Sequence, residues 1–297
     1  MKRFWLLLIP ILVLLVAVWT WVALYPGIPT DLGGVESLDS ESIRARIPVA
    51  RDSLDGWYLQ GSEPGIVLLL HGHGRNHERM WRYGQFLRKA GYTLLAIDFR
   101  SARPSHRLPT TLGYYELADA QAALEWLRAR PELGGNVIGV LGESLGGAVA
   151  LRLAAANRDV IAIVDDSGFA TGKDAIDDMF RRFHLPDWPT PLARAVAKTL
   201  TGHDPGDNDV LAAARALDGR PVLFVHGAND SYVSPEQTRA LWRAAGERDS
   251  LWIIPGVGHN QGWAKDRTTY EGKVTSFFDQ HLLLAWARAN AARLTHP

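Results

Sequence analysis

Val137-Ile138-Gly139-Val140-Leu141 is an apolar run of strand character. It passes directly into Gly142-Glu143-Ser144-Leu145-Gly146, which opens an Ala/Leu-rich stretch, Leu145 to Asn157, with helical spacing. A strand joined to a helix through G-x-S-x-G admits few folds. A serine on so sharp a turn presents its hydroxyl at the top of a sheet, and the glycines remove side chains that would clash there. The helix beginning at the turn aims its free backbone N–H groups at any oxyanion forming beside the serine. Gly, Ser and Leu are common, so a chance match and a catalytic turn are both open from the five residues alone; the flanking strand and helix favour the catalytic turn.

The rest of the chain repeats this strand-then-helix rhythm. Apolar runs recur at Ile66–Leu70, Thr93–Ile97, Val137–Leu141, Val160–Val164, Val222–Val225 and Leu251–Ile254. Helical stretches lie between most of them: Asn76 to Ala90, with Asn76 placed to cap and Gly91 to stop it, and Tyr114 to Arg130, with Leu117, Ala120, Leu124 and Leu127 in register. Such alternation predicts an α/β fold with a mostly parallel sheet covered on both faces, its active site at the carboxyl ends of the strands. Two alternating stretches, 44–49 and 57–59, read as antiparallel edge strands around an Asp55-Gly56 turn. The rhythm breaks between Val164 and Pro221. Helical stretches at 173–183 and 192–200 predict a cap inserted over the sheet edge, spanning about 167–218; an ordinary crossover with an extra helix is the alternative.

Three further loops fall at predicted strand ends. His71-Gly72-His73-Gly74 follows Ile66–Leu70, and its small residues let backbone N–H groups approach a substrate oxygen. The N–H of Leu145 and one from His73 or its neighbour would make a two-donor oxyanion hole. Tandem histidines also invite a metal reading, but no acidic partner at helical spacing and no H-E-x-x-H accompany them. The second loop, His226-Gly227-Ala228-Asn229-Asp230, places a carboxylate where it could orient an imidazole. The third, Gly256-Val257-Gly258-His259-Asn260, supplies that imidazole. A serine hydroxyl is a poor nucleophile at neutral pH, so His259 is the expected general base for Ser144. Asp230 is the expected acid that holds its tautomer and stabilises the imidazolium. Asp165, Asp166 and Asp207 compete with Asp230 for that role, and Glu143 is expected to act structurally beside the nucleophile.

Bulk properties narrow the partners. The 297 residues carry 32 basic and 32 acidic side chains, so nothing electrostatic points to nucleic acid. The absence of cysteine excludes disulfides and a thiol nucleophile without fixing a compartment. The N-terminus differs from the rest. Lys2 and Arg3 precede Phe4 to Tyr25, 22 residues without a charge. As a helix this would rise about 33 Å, enough to cross a bilayer core of about 30 Å. Aromatic residues stand at both ends, and Asp31, Glu36, Asp39 and Glu41 precede the first arginine beyond it, Arg44. The expected arrangement is a membrane anchor over 1–26 with its N-terminus in the cytoplasm, a linker over 27–42, and a catalytic domain over 43–297 held outside. A cleaved signal peptide, followed by secretion, is the rival, although no convincing A-x-A site is present; a buried core helix is a third reading.

With these segments in hand, the chain resembles the α/β-hydrolase superfamily, and most closely its exported, membrane-anchored branch grouped with Bem46-like proteins and serine aminopeptidase-like hydrolases. The resemblance rests on His71 to Gly74, Asp98-Phe99-Arg100, Gly142 to Gly147, Pro221 to Asp230 with Val233 and Ser234, Ile254 to His259, and Tyr270 with Phe277-Phe278. It spans about 43–284. It implies Ser144 as nucleophile, Asp230 as acid, His259 as base, and oxyanion donors at His73 and Leu145. One segment departs from the pattern: relatives carry D-x-R-G-x-G-x-S where this chain reads Asp98 to Ser105 without those glycines. The expected activity is cofactor-free ester hydrolysis through an acyl-enzyme, on a small-molecule or lipid-derived acyl substrate. Peptidase or amidase activity and acyl transfer are the alternatives, and a non-catalytic binding protein is disfavoured because no triad member is missing. Substrate identity and oligomeric state stay open at this level.

Overall fold

The computed structural model describes residues 2–27, 36–102, 108–133, 135–247 and 250–295. Eight strands form one sheet: β1 (Ile43–Val49), β2 (Asp52–Leu59), β3 (Gly65–Leu70), β4 (Thr93–Ile97), β5 (Val137–Glu143), β6 (Val160–Asp166), β7 (Val222–Gly227) and β8 (Ser250–Ile254). Their order is β1-β2-β4-β3-β5-β6-β7-β8, with the two pairs involving β2 antiparallel and the rest parallel. The period-two alternation of strand side chains splits the core in two. In β3, Leu68 and Leu70 join one cluster, while Val67 and Leu69 join the other. Helices α3 (Tyr114–Arg128), α4 (Leu145–Ala156) and α8 (Pro235–Ala244) cover the first face, and α2 (His77–Lys89) and α10 (Arg267–Phe278) the second. Buried on both faces, the parallel strands carry the near-continuous apolar runs seen in the sequence.

Two local expectations are corrected. The turn between β1 and β2 is at Ala50-Arg51, not at Asp55-Gly56, and Ala50 takes a positive φ of 50°. Asp55 instead sits inside β2 opposite Arg46, within 3.4 Å of both Arg46 and Arg44. Cross-strand charge pairing thus overrides the local turn signal. Asn76 occupies the N-cap position of α2, but its side chain makes no capping bond. The Asp98 carboxylate caps that end, accepting from the His77 N–H at 2.6 Å.

The interval between β6 and β7 holds α5 (Gly172–Arg182), α6 (Thr190–Thr201), a 3-10 turn (Pro205–Asp207) and α7 (Val210–Arg215). Thr171 caps α5 through the Asp174 N–H and Asp209 caps α7 through that of Ala212, so polar residues set both starts. After β8 come the one-turn helix α9 (Gly262–Lys265), then α10, a π-helical turn (Asp279–Leu283) and α11 (Leu284–Thr295).

Helix α1 (Lys2–Leu24) carries described side chains from Pro10 onward, and its second half packs onto the body of the fold rather than standing apart from it. Val16 and Leu24 are buried, and the Trp19 ring lies 4.4 Å from that of Phe180 on α5. The Leu24 carbonyl accepts from the Thr110 N–H at 2.9 Å. Part of the expected linker is also fixed: Leu38 is buried and Asp39 accepts from the Trp81 indole at 2.7 Å. Residues 28–35 of that linker, and 103–107 of the loop lacking the expected glycines, lie outside the described residues. Among the described residues no helix is long and apolar enough to cross a membrane.

Candidate active site

Ser144 stands between the end of β5 and the start of α4 with φ 55° and ψ −114°, a conformation that an L-residue holds only when its surroundings enforce it. Its N–H donates to the Asp166 carbonyl at 2.8 Å, and its own carbonyl accepts from Gly147 and Ala148 at 2.9 and 3.1 Å. The glycines of the turn are a packing requirement. A Cβ on Gly146 would overlap the Leu70 carbonyl, and one on Gly142 would overlap the Gly146 carbonyl. The G-x-S-x-G spacing therefore records how closely α4 approaches the end of β3.

The three loops named from sequence meet at this serine. His259 Nε2 lies 3.0 Å from Ser144 Oγ, and His259 Nδ1 lies 2.6 Å from Asp230 Oδ2. Asp230 is held in turn by the backbone N–H groups of Tyr232 and Val233, which donate to Oδ1 at 2.7 and 3.0 Å. Burial pushes its carboxyl up, but hydrogen bonds from His226 and His259 outweigh burial and hold it well below the usual carboxylate range. The Tyr232 ring stacks on the His259 imidazole at 5.0 Å. Among the competing acids, Asp165 is tied to the Gly168 N–H, Asp166 accepts from three hydroxyls and Asp207 lies near Arg194. Burial raises Asp165 to about 7.

His73 and Leu145, the expected oxyanion donors, border the same cavity as Ser144. Leu145 is the first residue of α4, so its N–H has no partner within the helix. Both tandem histidines are committed through their rings. His71 accepts from the Phe99 N–H at 3.0 Å and donates to the Gly72 carbonyl at 2.8 Å, and His73 donates to the Ala23 carbonyl of α1 at 2.8 Å. Burial lowers the pKa of each ring. A different group, Asp39, His77 and Glu78, brings one ligand atom each to within 4.8 Å of one another, but His77 and Asp39 already bond to Asp98 and Trp81.

Two contributors escaped the sequence reading. His226, at the end of β7, is fully buried with Nε2 3.1 Å from Asp230 Oδ2 and 3.0 Å from the Val233 carbonyl, so Nε2 carries the proton. Its Nδ1 meets the Thr238 hydroxyl at 2.6 Å. Burial lowers its pKa, yet the Asp230 contact dominates and raises it. The second is Arg82 on α2. Its guanidinium lies 2.7 Å from Glu143, next to the serine, and donates to the Asn260 carbonyl, next to the histidine, at 3.0 Å. It also donates to Tyr83, whose hydroxyl joins that of Tyr270 on Asp166 at 2.8 and 2.7 Å. Burial raises the Glu143 pKa, but Arg82 and Arg79 outweigh it and keep the carboxyl ionised. A sequence signal existed only for Glu143; its partner sits 61 positions away on another helix.

The cavity above Ser144 has a volume of about 600 Å³, within the range of small-molecule sites. One wall is apolar and comes from α1 and the C-terminal end of α5: Trp19, Val22, Ala23, Met179 and Phe183. A smaller apolar cleft of about 40 Å³ continues from it between α1 and α6, past Ala193 and Ala197.

This geometry, a serine on a strand-to-helix turn with acid and histidine at later strand ends of a mostly parallel sheet, is that of a hydrolase. The chain belongs to the alpha/beta hydrolase family, whose family model matches residues 67–268. It is similar to protein Rv2307c of Mycobacterium tuberculosis, 32% identical over 210 residues, covering 70% of this chain and 68% of the relative. Protein bem46 of Schizosaccharomyces pombe is 29% identical over 224 residues, covering 73% and 69%. Among solved structures, the Pyrococcus furiosus esterase Pf2001 shares the fold with a TM-score of 0.70 and 23% identity, covering 86% of this chain and 98% of that one.

Proposed function

We propose that this chain is a serine hydrolase that cleaves carboxylic esters through an acyl-enzyme. The observation that carries the proposal is the relay Asp230–His259–Ser144, with contacts of 2.6 and 3.0 Å, at the floor of a largely apolar cavity. His259 Nε2 takes the Ser144 proton as Oγ attacks the carbonyl carbon, and Asp230 stabilises the imidazolium that results. The N–H groups of His73 and Leu145 receive the oxyanion, for which a single such donor is worth about 10²–10³ in rate. The acyl C–O bond breaks and the imidazolium protonates the departing alkoxide. A water then gives its proton to His259 and attacks the acyl-serine, and collapse returns the free acid and Ser144. Glu143 and Arg82 position the serine and histidine loops. The esterase activity of the structural neighbour Pf2001 agrees with ester cleavage as the reaction.

The test is a fluorophosphonate probe with an ester series of varied acyl length and matched amides. Labelling of wild type and none of Ser144→Ala is expected, with ester turnover showing an acyl-length optimum. Equal labelling of both proteins overturns the nucleophile assignment, and turnover confined to amides replaces the esterase reading with a peptidase one. Product analysis with added alcohol separates hydrolysis from acyl transfer.

The N-terminal segment serves in this reading as a retained membrane attachment, with the catalytic domain outside the cytoplasm. Trp19 and Ala23 wall the cavity, so cleavage after Tyr25 would strip the acyl site; secretion after cleavage is the alternative. Intact mass of the protein isolated from membranes decides between them, retention of residues 1–25 being the expected result.

A further inference from the structure

We infer that the substrate is an anionic amphiphile: an acyl ester whose alcohol portion bears a phosphate or carboxylate, recognised by Arg75 and Arg79. This rests on the esterase reading above and names the substrate class for it. The cavity lining is of two chemical kinds. The part from α1 and α5 is apolar and adjoins the narrow cleft beside α6, which suits an acyl chain. Arg75, Arg79, Glu143, Asn260 and Gln261 supply a polar part. Arg182 stands at the cap side, donating to Ser231 at 3.1 Å with its guanidinium 3.3 Å from the Tyr232 ring centroid.

Three arginines against one glutamate leave a formal excess of positive charge in the cavity wall. One glutamate does not neutralise them all. Glu143 is engaged at 2.7 Å by Arg82, a fourth arginine that is buried, and shares its charge with Arg79 at 3.6 Å. Asp230, another nearby carboxylate, is taken by His226 and His259. Arg79 remains a quarter exposed. A cation in a concave, partly dry wall is favourable only when an anion answers it, and paired guanidinium groups match phosphate and carboxylate geometry.

The direction of the reaction places that anion on the alcohol. His259 protonates the departing oxygen, so the leaving group lies on the histidine side of Ser144. Arg82 ties this side to α2 by joining Glu143 to the Asn260 carbonyl. Arg79, one turn earlier on the same helix and 3.6 Å from the same Glu143, is placed on this side for the leaving group, and the apolar lining from α1 is left for the acyl chain.

The test compares three octanoyl esters that differ only in the alcohol: glycerol, glycerol 3-phosphate and glycerate. Wild type, the double variant Arg75→Gln/Arg79→Gln and the double variant Arg75→Lys/Arg79→Lys are measured at low and high salt, with thermal melts as a control for folding. Charge-assisted hydrogen bonds predict a kcat/KM for the anionic esters about 10- to 100-fold above the neutral one. The ratio should fall to near unity in the Gln variant, partly survive in the Lys variant and shrink with salt. Preference for phosphate over glycerate, or the reverse, identifies the anion. Equal or faster turnover of the neutral ester by wild type overturns the inference, as does a ratio unchanged in a folded Gln variant. Failure of all three esters with Ser144 still labelled by fluorophosphonate also sinks the substrate class while leaving the hydrolase reading intact. Absence of both labelling and turnover removes that reading itself.

Discussion

Replacing Asp230 with asparagine tests whether the carboxylate sets the tautomer of His259. The side chain accepts four hydrogen bonds, two from the backbone of Tyr232 and Val233 on Oδ1 and two from His226 and His259 on Oδ2. Asparagine keeps the first pair if its oxygen faces the backbone. Its NH₂ group then occupies the Oδ2 position, where it donates to His259 Nδ1 and moves the imidazole proton to Nε2, the atom facing Ser144. A protonated Nε2 in a neutral ring cannot accept the serine proton. Loss of base catalysis in this manner lowers kcat by about 10³–10⁴-fold, about 4–5.5 kcal/mol in the barrier. The same NH₂ group meets the proton on His226 Nε2, two donors at a buried point, which destabilises the fold by about 1–3 kcal/mol. The assay is steady-state turnover of an activated octanoyl ester with thermal melts alongside, and fluorophosphonate labelling should slow in parallel. An Asp230→Asn protein with kcat within tenfold of wild type would refute the argument that Asp230 governs the histidine.

Other expectations follow from packing and charge. Asp165 is held near 7 by burial, above the value of about 3.9 for an unfolded chain. Between those values the native state binds the extra proton, so the contribution of Asp165 to stability is full below about pH 4 and is lost as pH rises to about 7, by a few kcal/mol at most. Denaturant melts across this range should show the decline in wild type and a flatter profile in Asp165→Asn; identical slopes would contradict it. In Gly146→Ala the new Cβ meets the Leu70 carbonyl and comes within 2.8 Å of the His71 carbonyl oxygen, both backbone atoms. Overpacking of this kind costs about 1–3 kcal/mol, and the displaced turn should abolish probe labelling; normal melting and labelling together would contradict it. Trp19→Ala removes a ring from the apolar wall, so the acyl-length optimum should move to longer chains, and an unchanged optimum would show that α1 does not border the acyl site.

The parts of this molecule that were legible from sequence are those encoded locally. Each parallel strand is a short apolar run, and the loops at the ends of β3, β5 and β7 and after β8 carry the Gly, His, Ser and Asp residues that the fold gathers at Ser144. Of Asp165, Asp166 and Asp230, the structure sets Asp230 against His259, at 2.6 Å. What was not legible depends on pairing over distance. The Asp55-Gly56 turn signal is cancelled by Arg44 and Arg46 on the neighbouring strand. His226 reads as one more loop histidine until its contact with Asp230 is known, and Arg82 gains meaning only through Glu143 and Asn260. The run from Phe4 to Tyr25 is apolar all round, so no periodicity marks the face that packs on α5 and α6. Its place as a cavity wall emerges only from Trp19 against Phe180 and Ala23 against His73.

The most direct measurement is capture of the acyl-enzyme. Wild-type protein mixed with an activated octanoyl ester and quenched in acid should gain the mass of one octanoyl group, localised by peptide mapping to Ser144 and absent from Ser144→Ala. An acyl adduct on any other residue, or turnover at the wild-type rate by the alanine variant, would contradict the account.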